Sequence, residues 1–188
     1  MNQHLTDRGV ERKSDRLKGK RLALAACGGI GAVELVRVTR ELRRHGAQVT
    51  LFITPAVTTF ISELSLEWAA GSKVIREAGA DVDHLDTYDL VLVAPATLNT
   101  ISKSALGITD NVVTLLIAGQ LGRKAPLLFV PTMNVQLRNH PAFAEHVARL
   151  QQWGARFFPS EVEEDRLKMP APETILEHVV KSLSASSS

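Results

Sequence analysis

Cysteine is almost absent from this 188-residue chain: Cys27 is the only one, so no internal disulfide framework holds it together. Long hydrophobic runs are absent too. No stretch approaches the ~20 apolar residues that cross a bilayer as a helix. The N-terminus is polar and charged, which argues against a secretory signal. No internal repeat and no interior linker interrupts the sequence. What remains is 45% apolar and 22% charged, a balance that suits a soluble globular protein. The length fits one domain with a sizeable core and is short for two. A cytoplasmic protein is the simplest expectation.

An extended surface of one charge is also missing. The sequence pI is about 8.9, yet the basic excess is local. Residues 1–21 carry seven Lys/Arg against three Asp/Glu, and the remainder carries 15 against 17. The body is nearly neutral, so a nucleic-acid-binding face is not indicated. Residues 1–20 read as a flexible, solvated basic arm, with contact to an acidic partner as the alternative. Residues 184–188 read as a disordered tail, leaving 21–183 as the folded domain.

Short apolar runs at 21–27, 49–53, 90–94, 127–130 and 155–158 read as strands. Near-continuous apolar strands are expected where both faces of a sheet are covered. Helical spacing occupies 31–45, 101–107, 111–121, 141–153 and 173–183. In the first of these, Leu35, Val38 and Leu42 share a face, while Arg37, Arg40, Glu41 and Arg44 point outward. Gly46 closes that helix, Pro141 opens a later one and Gly154 ends it. This alternation predicts an α/β fold: an open, parallel, Rossmann-like (flavodoxin-like) sheet with helices on both faces. Ligands of such sheets bind beyond the carboxyl ends of the strands.

Four segments follow strands in this way. Cys27-Gly28-Gly29-Ile30-Gly31 can bring backbone N–H groups and a helix N-terminus to a phosphate. It does not fit the G-x-x-x-x-G-K-[ST] pattern, which excludes a nucleotide-hydrolysing loop of that kind. Thr54 either caps the next helix or donates to a phosphate. Thr97, Asn99 and Thr100 put three hydrogen-bonding side chains within four residues. They suit either the polar edge of a flavin ring or an N-cap cluster. Asn134, in Pro131-Thr132-Met133-Asn134, either donates its amide to a carboxylate or sits in a turn.

Taken in order, these motifs resemble the homo-oligomeric flavin-containing cysteine decarboxylases. Pro95-Ala96-Thr97-Leu98-Asn99-Thr100 is similar to that family's PASANT motif, Pro131-Thr132-Met133-Asn134 to its PxMN, and Gly107-Ile108-Thr109-Asp110-Asn111 to its G-I-x-D-N. The resemblance runs collinearly over roughly residues 20–175. It implies FMN at the carboxyl edge of the sheet. Gly28, Gly29, Ile30 and Thr54 would hold the phosphate side; Thr97, Leu98, Asn99, Thr100 and Thr132 the ring and ribityl chain; Phe60 would also line the cofactor site. Asn134, with Met133, would take the substrate carboxylate, and Arg166 and Lys168 would contact the substrate. A homotrimer, or a dodecamer of trimers, is implied.

The sequence departs from the family at three points. Asp81 stands where the catalytic histidine falls by spacing from Pro95, and His84 is the neighbouring histidine. His84 titrates near neutrality, whereas Asp81 serves as a proton shuttle if burial raises its pKa. Gln136-Leu137-Arg138 replaces the family's usual Met-Trp after PxMN. The stretch 160–169 has neither the cysteine nor the glycines of the coenzyme A enzymes' clamp, and reads as a lid or as a plain surface loop. Without that cysteine the reaction is expected to stop at an oxidised aminoenethiol. The favoured expectation is therefore FMN-dependent oxidative decarboxylation of the C-terminal cysteine of a ribosomally made precursor peptide. The alternatives are phosphopantothenoylcysteine decarboxylase, acting on a small cysteine-containing substrate, and a non-catalytic FMN-binding regulatory subunit.

Overall fold

The computed structural model describes residues 7–78, 87–159 and 162–185. In chain order the strands are β1 (Arg21–Ala26), β2 (Gln48–Ile53), β3 (Leu90–Ala96), β4 (Leu127–Pro131), β5 (Met133–Asn134), β6 (Arg156–Phe157), β7 (Val162–Glu163) and β8 (Arg166–Leu167). The α-helices are α1 (Leu35–Arg44), α2 (Glu63–Ala70), α3 (Leu98–Ala105), α4 (Val112–Gly122), α5 (Val135–Arg138), α6 (Pro141–Gln152) and α7 (Pro172–Ser184). Among the described residues, no helix is long and apolar enough to cross a membrane.

The main sheet is parallel, in the order β2-β1-β3-β4-β6. Its strands are apolar because both faces are covered. In β1, Leu22, Leu24 and Ala26 join one core, and Ala23, Ala25 and the following Cys27 join the other. That alternation is the two-residue period of a strand. Leu35, Val38 and Leu42 of α1 pack on the first core with Ile175, Leu176 and Val179 of α7. Ile101 of α3, Leu116 of α4 and Leu150 of α6 pack on the second. Gly46, at φ 101°, ends the α1 turn in a left-handed conformation that favours glycine. The chain leaves β1 towards β2 on one side, and β3 lies on the other. Such a reversal opens a crevice beyond the carboxyl ends of β1 and β3.

Two expectations fail together at α1. Residues 13–20 are not a solvated arm. Leu17 is fully buried in the first core, Leu17 N–H donates to His45 O at 2.8 Å, and Lys13 N–H donates to Arg44 O at 2.8 Å. Arg16 ion-pairs with Glu177 on α7. Glu41, expected to face water, is only 3% exposed because this segment covers it. Lys13 Nζ reaches its two oxygens at 2.7 and 2.9 Å, and Arg44 and His45 lie at 3.1 and 3.2 Å. A single apolar residue, Leu17, among many charges gave no periodic signal for the docking.

Burial pushes the Glu41 carboxyl up, but Lys13, Arg44 and His45 outweigh it and hold it below the ordinary range. A carboxylate depressed on folding stabilises the protein above its unfolded pKa, and that contribution is lost as pH falls through the folded value. Thermal unfolding should therefore lose stability steadily below about pH 4.5. Glu41→Gln should be less stable at neutral pH and lose part of that acid dependence. An unchanged acid profile in the variant would contradict the assignment.

A second, three-stranded antiparallel sheet, β5-β8-β7, lies past the end of β4. The β7–β8 turn uses Glu164 and Asp165 at φ 50° and 56°. Positive φ at both central residues matches the strand twist of a tight hairpin. The stretch 162–167 is thus an ordered hairpin rather than a plain loop.

Candidate functional site

Backbone hydrogen bonds between strand ends bring the four loops together. Thr54 N–H donates to Ala26 O at 3.0 Å, Cys27 N–H to Pro95 O at 3.2 Å, and Thr132 N–H to Ala96 O at 3.0 Å. The hairpin is tied on by Val135 N–H to Asp165 O at 2.9 Å. The loops after β1, β3 and β4 line a cavity of about 370 Å³ with the hairpin, while Thr54 and the loop after β2 lie outside its wall. Gly28, Gly29 and Ile30 form one wall, Thr97 and Leu98 a second, and Thr132, Met133 and Asn134 a third. Leu137, Arg166 and Leu167 close it from α5 and the hairpin.

Two glycines are required by close approach rather than by unusual torsions. A Cβ at Gly28 would collide with the side chain and backbone of Ala56, so the loops after β1 and β2 touch only because Gly28 has none. A Cβ at Gly31 would sit 2.7 Å from Met169 Cγ and 3.1 Å from Thr132 Cγ2. That contact presses the chain leaving the hairpin against the first loop.

The two threonines divide their roles. Thr97 caps α3, its Oγ1 accepting from Thr100 N–H at 3.4 Å. Thr54 occupies the equivalent position before the 55–59 turn, yet its side chain caps nothing. Its hydroxyl is buried without a hydrogen-bond partner among the described residues, an arrangement that costs free energy unless a ligand supplies the partner. Asn134 accepts from Leu137 N–H at 2.9 Å through Oδ1, which turns its amide N–H₂ into a fixed donor at the cavity wall.

Of the residues expected to form the site, nine meet at this cavity: Gly28, Gly29, Ile30, Thr97, Leu98, Thr132, Met133, Asn134 and Arg166. Thr100 does not; it is 2% exposed and packs beside Cys27. Burial pushes the Cys27 thiol up, with Thr100 and Thr97 hydrogen bonds only partly opposing it, so it is held as an unreactive thiol. Asn99 and Phe60 are exposed and outside the cavity wall. Lys168 lines an adjoining cavity and pairs with Glu163 at 3.3 Å and Glu164 at 2.8 Å. His84 and Asp81 lie outside the described residues. Leu137 and Leu167 were not expected; Leu137 reaches the site on the short helix α5 and Leu167 through the β5–β8 pairing, which no glycine or asparagine at the turn announced.

Residues 10–184 match the Flavoprotein family. The chain belongs to that family. The coenzyme A biosynthesis bifunctional protein CoaBC of Thermococcus kodakarensis is 36% identical over 178 residues, covering 91% of this chain and 44% of that protein. Its counterpart in Methanocaldococcus jannaschii is 33% identical over 175 residues, with 91% and 43% covered. The chain thus spans less than half the length of these flavoprotein relatives. In fold it is similar to the FMN-dependent cysteine decarboxylase SpaF, at TM-score 0.78 and 22% identity, covering 92% of this chain and 99% of that one. It is likewise similar to a PPC decarboxylase variant complexed with pantothenoylaminoethenethiol, at TM-score 0.74 and 24% identity, with 85% and 96% covered.

Proposed function

We propose that this flavoprotein binds FMN in the crevice beyond β1 and β3 and decarboxylates a substrate that ends in a cysteine carboxylate, 4′-phosphopantothenoylcysteine. The observation that carries the chemistry is the cavity that Asn134 and the Gly28–Ile30 loop line together. The chain's own residues fit the cofactor. Gly28 and Gly29 offer backbone N–H groups to a phosphate, and the loop after β2, which abuts Gly28 at Ala56, carries the unpartnered Thr54 hydroxyl as a further donor. Thr97, Leu98 and Thr132 offer a mixed polar and apolar wall for the ring side. When bound, the flavin supplies the two-electron oxidation that labilises the bond to the carboxylate. Asn134 donates to that carboxylate and orients it, Arg166 adds a positive charge beside it, and Met133 and Leu167 exclude water. Proton transfer falls to His84 or Asp81. A homotrimer, alone or within a dodecamer, would cover the exposed apolar side chains Ile30, Val33, Phe60 and Leu64.

The CoaBC relatives, which cover most of this chain, support this choice of substrate. One observation favours a Cys-terminated precursor peptide instead: the only cysteine, Cys27, is buried and unreactive, so no thiol is at hand to complete reduction of an enethiol. Both substrates should be incubated with the flavin-loaded protein and read by mass spectrometry. The reading predicts loss of about 46 Da, CO₂ and two hydrogens, from phosphopantothenoylcysteine, as an oxidative step demands. Conversion of peptides alone would transfer the assignment to the second reading. No mass change in either substrate would sink both.

A further inference from the structure

A separate, smaller hollow of about 180 Å³ opens between α5, α6 and the last strand of the main sheet. Leu167 is a wall of both this hollow and the site cavity, and no other residue is shared. Pro131 at the end of β4, Phe143 and Val147 on α6, Phe157 on β6 and the following Phe158 complete its apolar lining. The Phe157 ring is held firmly. It stacks on the fully buried Phe129 ring, with centroids 4.9 Å apart and planes 9° from parallel. Phe143, Val147 and Phe157 nevertheless remain only half-buried.

One polar side chain borders the hollow, Arg138 at the end of α5, and no acid does. Arg138 forms no ion pair among the described residues. Its side-chain hydrogen bond among them is a long one, 3.5 Å to the adjacent Asn139 Oδ1. By contrast, Arg149 on α6 is answered by Glu145 at 3.2 Å. Arg138 also stands in the stretch 136–138 that departs from the family's usual Met-Trp.

Apolar walls with one orienting polar group are the make-up of a small-ligand site. The volume falls below the about 300 Å³ at which pockets for drug-sized ligands begin, so it takes roughly one ring. A guanidinium fork matches a carboxylate with two parallel hydrogen bonds. A phosphate dianion would find a single cation here, and a neutral ring would leave Arg138 without a counter-charge. We propose that this hollow is a second ligand site, for a small monocarboxylic acid bearing one aromatic ring. Arg138 donates to the carboxylate, and Phe143, Val147 and Phe157 pack on the ring. The occupant then lies against Leu167, a residue that also borders the site cavity. Nothing in this assignment depends on the decarboxylase reading.

The test titrates three probes calorimetrically into FMN-loaded protein: phenylacetate, its neutral isostere phenylacetamide, and acetate. Phenylacetate should bind about tenfold more tightly than either of the others, since it alone combines the ring with a charge-assisted bond. Arg138→Gln should reduce its preference over phenylacetamide to about twofold or less, with phenylacetamide affinity unchanged. Arg138→Lys should retain part of the preference. Val147→Phe fills the hollow and should weaken both ring probes at least tenfold; should that variant unfold, exposed Arg138→Gln carries the test alone. Equal affinity for phenylacetate and phenylacetamide, no binding of phenylacetate, or binding no tighter than that of acetate would overturn the site. A preference that survives Arg138→Gln would overturn it too, placing the acid at another cation.

Discussion

Asn134→Asp should fold as the native chain does and lose about 10³-fold in kcat/KM for decarboxylation. Aspartate caps a helix as well as asparagine does, so the bond from Leu137 N–H at 2.9 Å is kept and α5 stays in place. Only the other half of the side chain changes. The amide donor becomes a carboxylate oxygen facing the substrate carboxylate. Losing a hydrogen bond to a charged group costs about 1.5–3 kcal/mol. Like charges about 4 Å apart add up to about 4 kcal/mol near a protein surface. Asn134→Ala should behave differently. It loses the cap, about 1 kcal/mol of stability, but adds no repulsion, so its activity should exceed that of the aspartate variant. The checks are thermal unfolding and CO₂ release. Retained activity in Asn134→Asp would remove Asn134 from the carboxylate site.

Gly28→Val should yield a colourless, less stable protein. The Cβ would strike Ala56 Cβ and lie 2.9 Å from the Ala56 carbonyl carbon, so relief requires moving backbone. Overpacking of this kind costs about 1–3 kcal/mol. The displaced loop is also the one proposed to present N–H groups to the cofactor phosphate, so flavin occupancy should fall together with the melting temperature. Gly122→Ala supplies the contrast. A Cβ there meets nothing within 4 Å, and the substitution near the end of α4 should raise stability by about 0.4–1 kcal/mol with flavin content unchanged. Full flavin occupancy in Gly28→Val would mean that the β1 loop does not hold the phosphate.

The sheet was legible because its strands are buried on both faces. The apolar runs at 21–27, 49–53, 90–94 and 127–130 fall within a few residues of β1 to β4. Helix ends at Gly46, Pro141 and Gly154 were legible through residues with special backbone preferences. The weaker signals misled. The helix expected at 101–107 begins at Leu98 instead, because Thr97 is its cap. At Thr54 and Thr97 the sequence left cap and ligand roles open, since a hydroxyl between strand and helix looks alike in both. Only the backbone path decides that Thr97 caps and Thr54 does not. The helix α2 was not anticipated, its eight residues being too few for a clear period. Glu41 and the hairpin were opaque for a shared reason. Each owes its place to a partner distant in sequence, Lys13 in one case and Met133 in the other.

The central claim is a flavin held by the β1, β2 and β3 loops and used on a cysteine carboxylate beside Asn134. It is tested most directly by mixing flavin-loaded protein with phosphopantothenoylcysteine under nitrogen, following flavin absorbance and CO₂ together. The account predicts bleaching and CO₂ in equal amounts, with the bleaching persistent because buried Cys27 is no reductive partner. A flavin that stays oxidised while no CO₂ is released would contradict it.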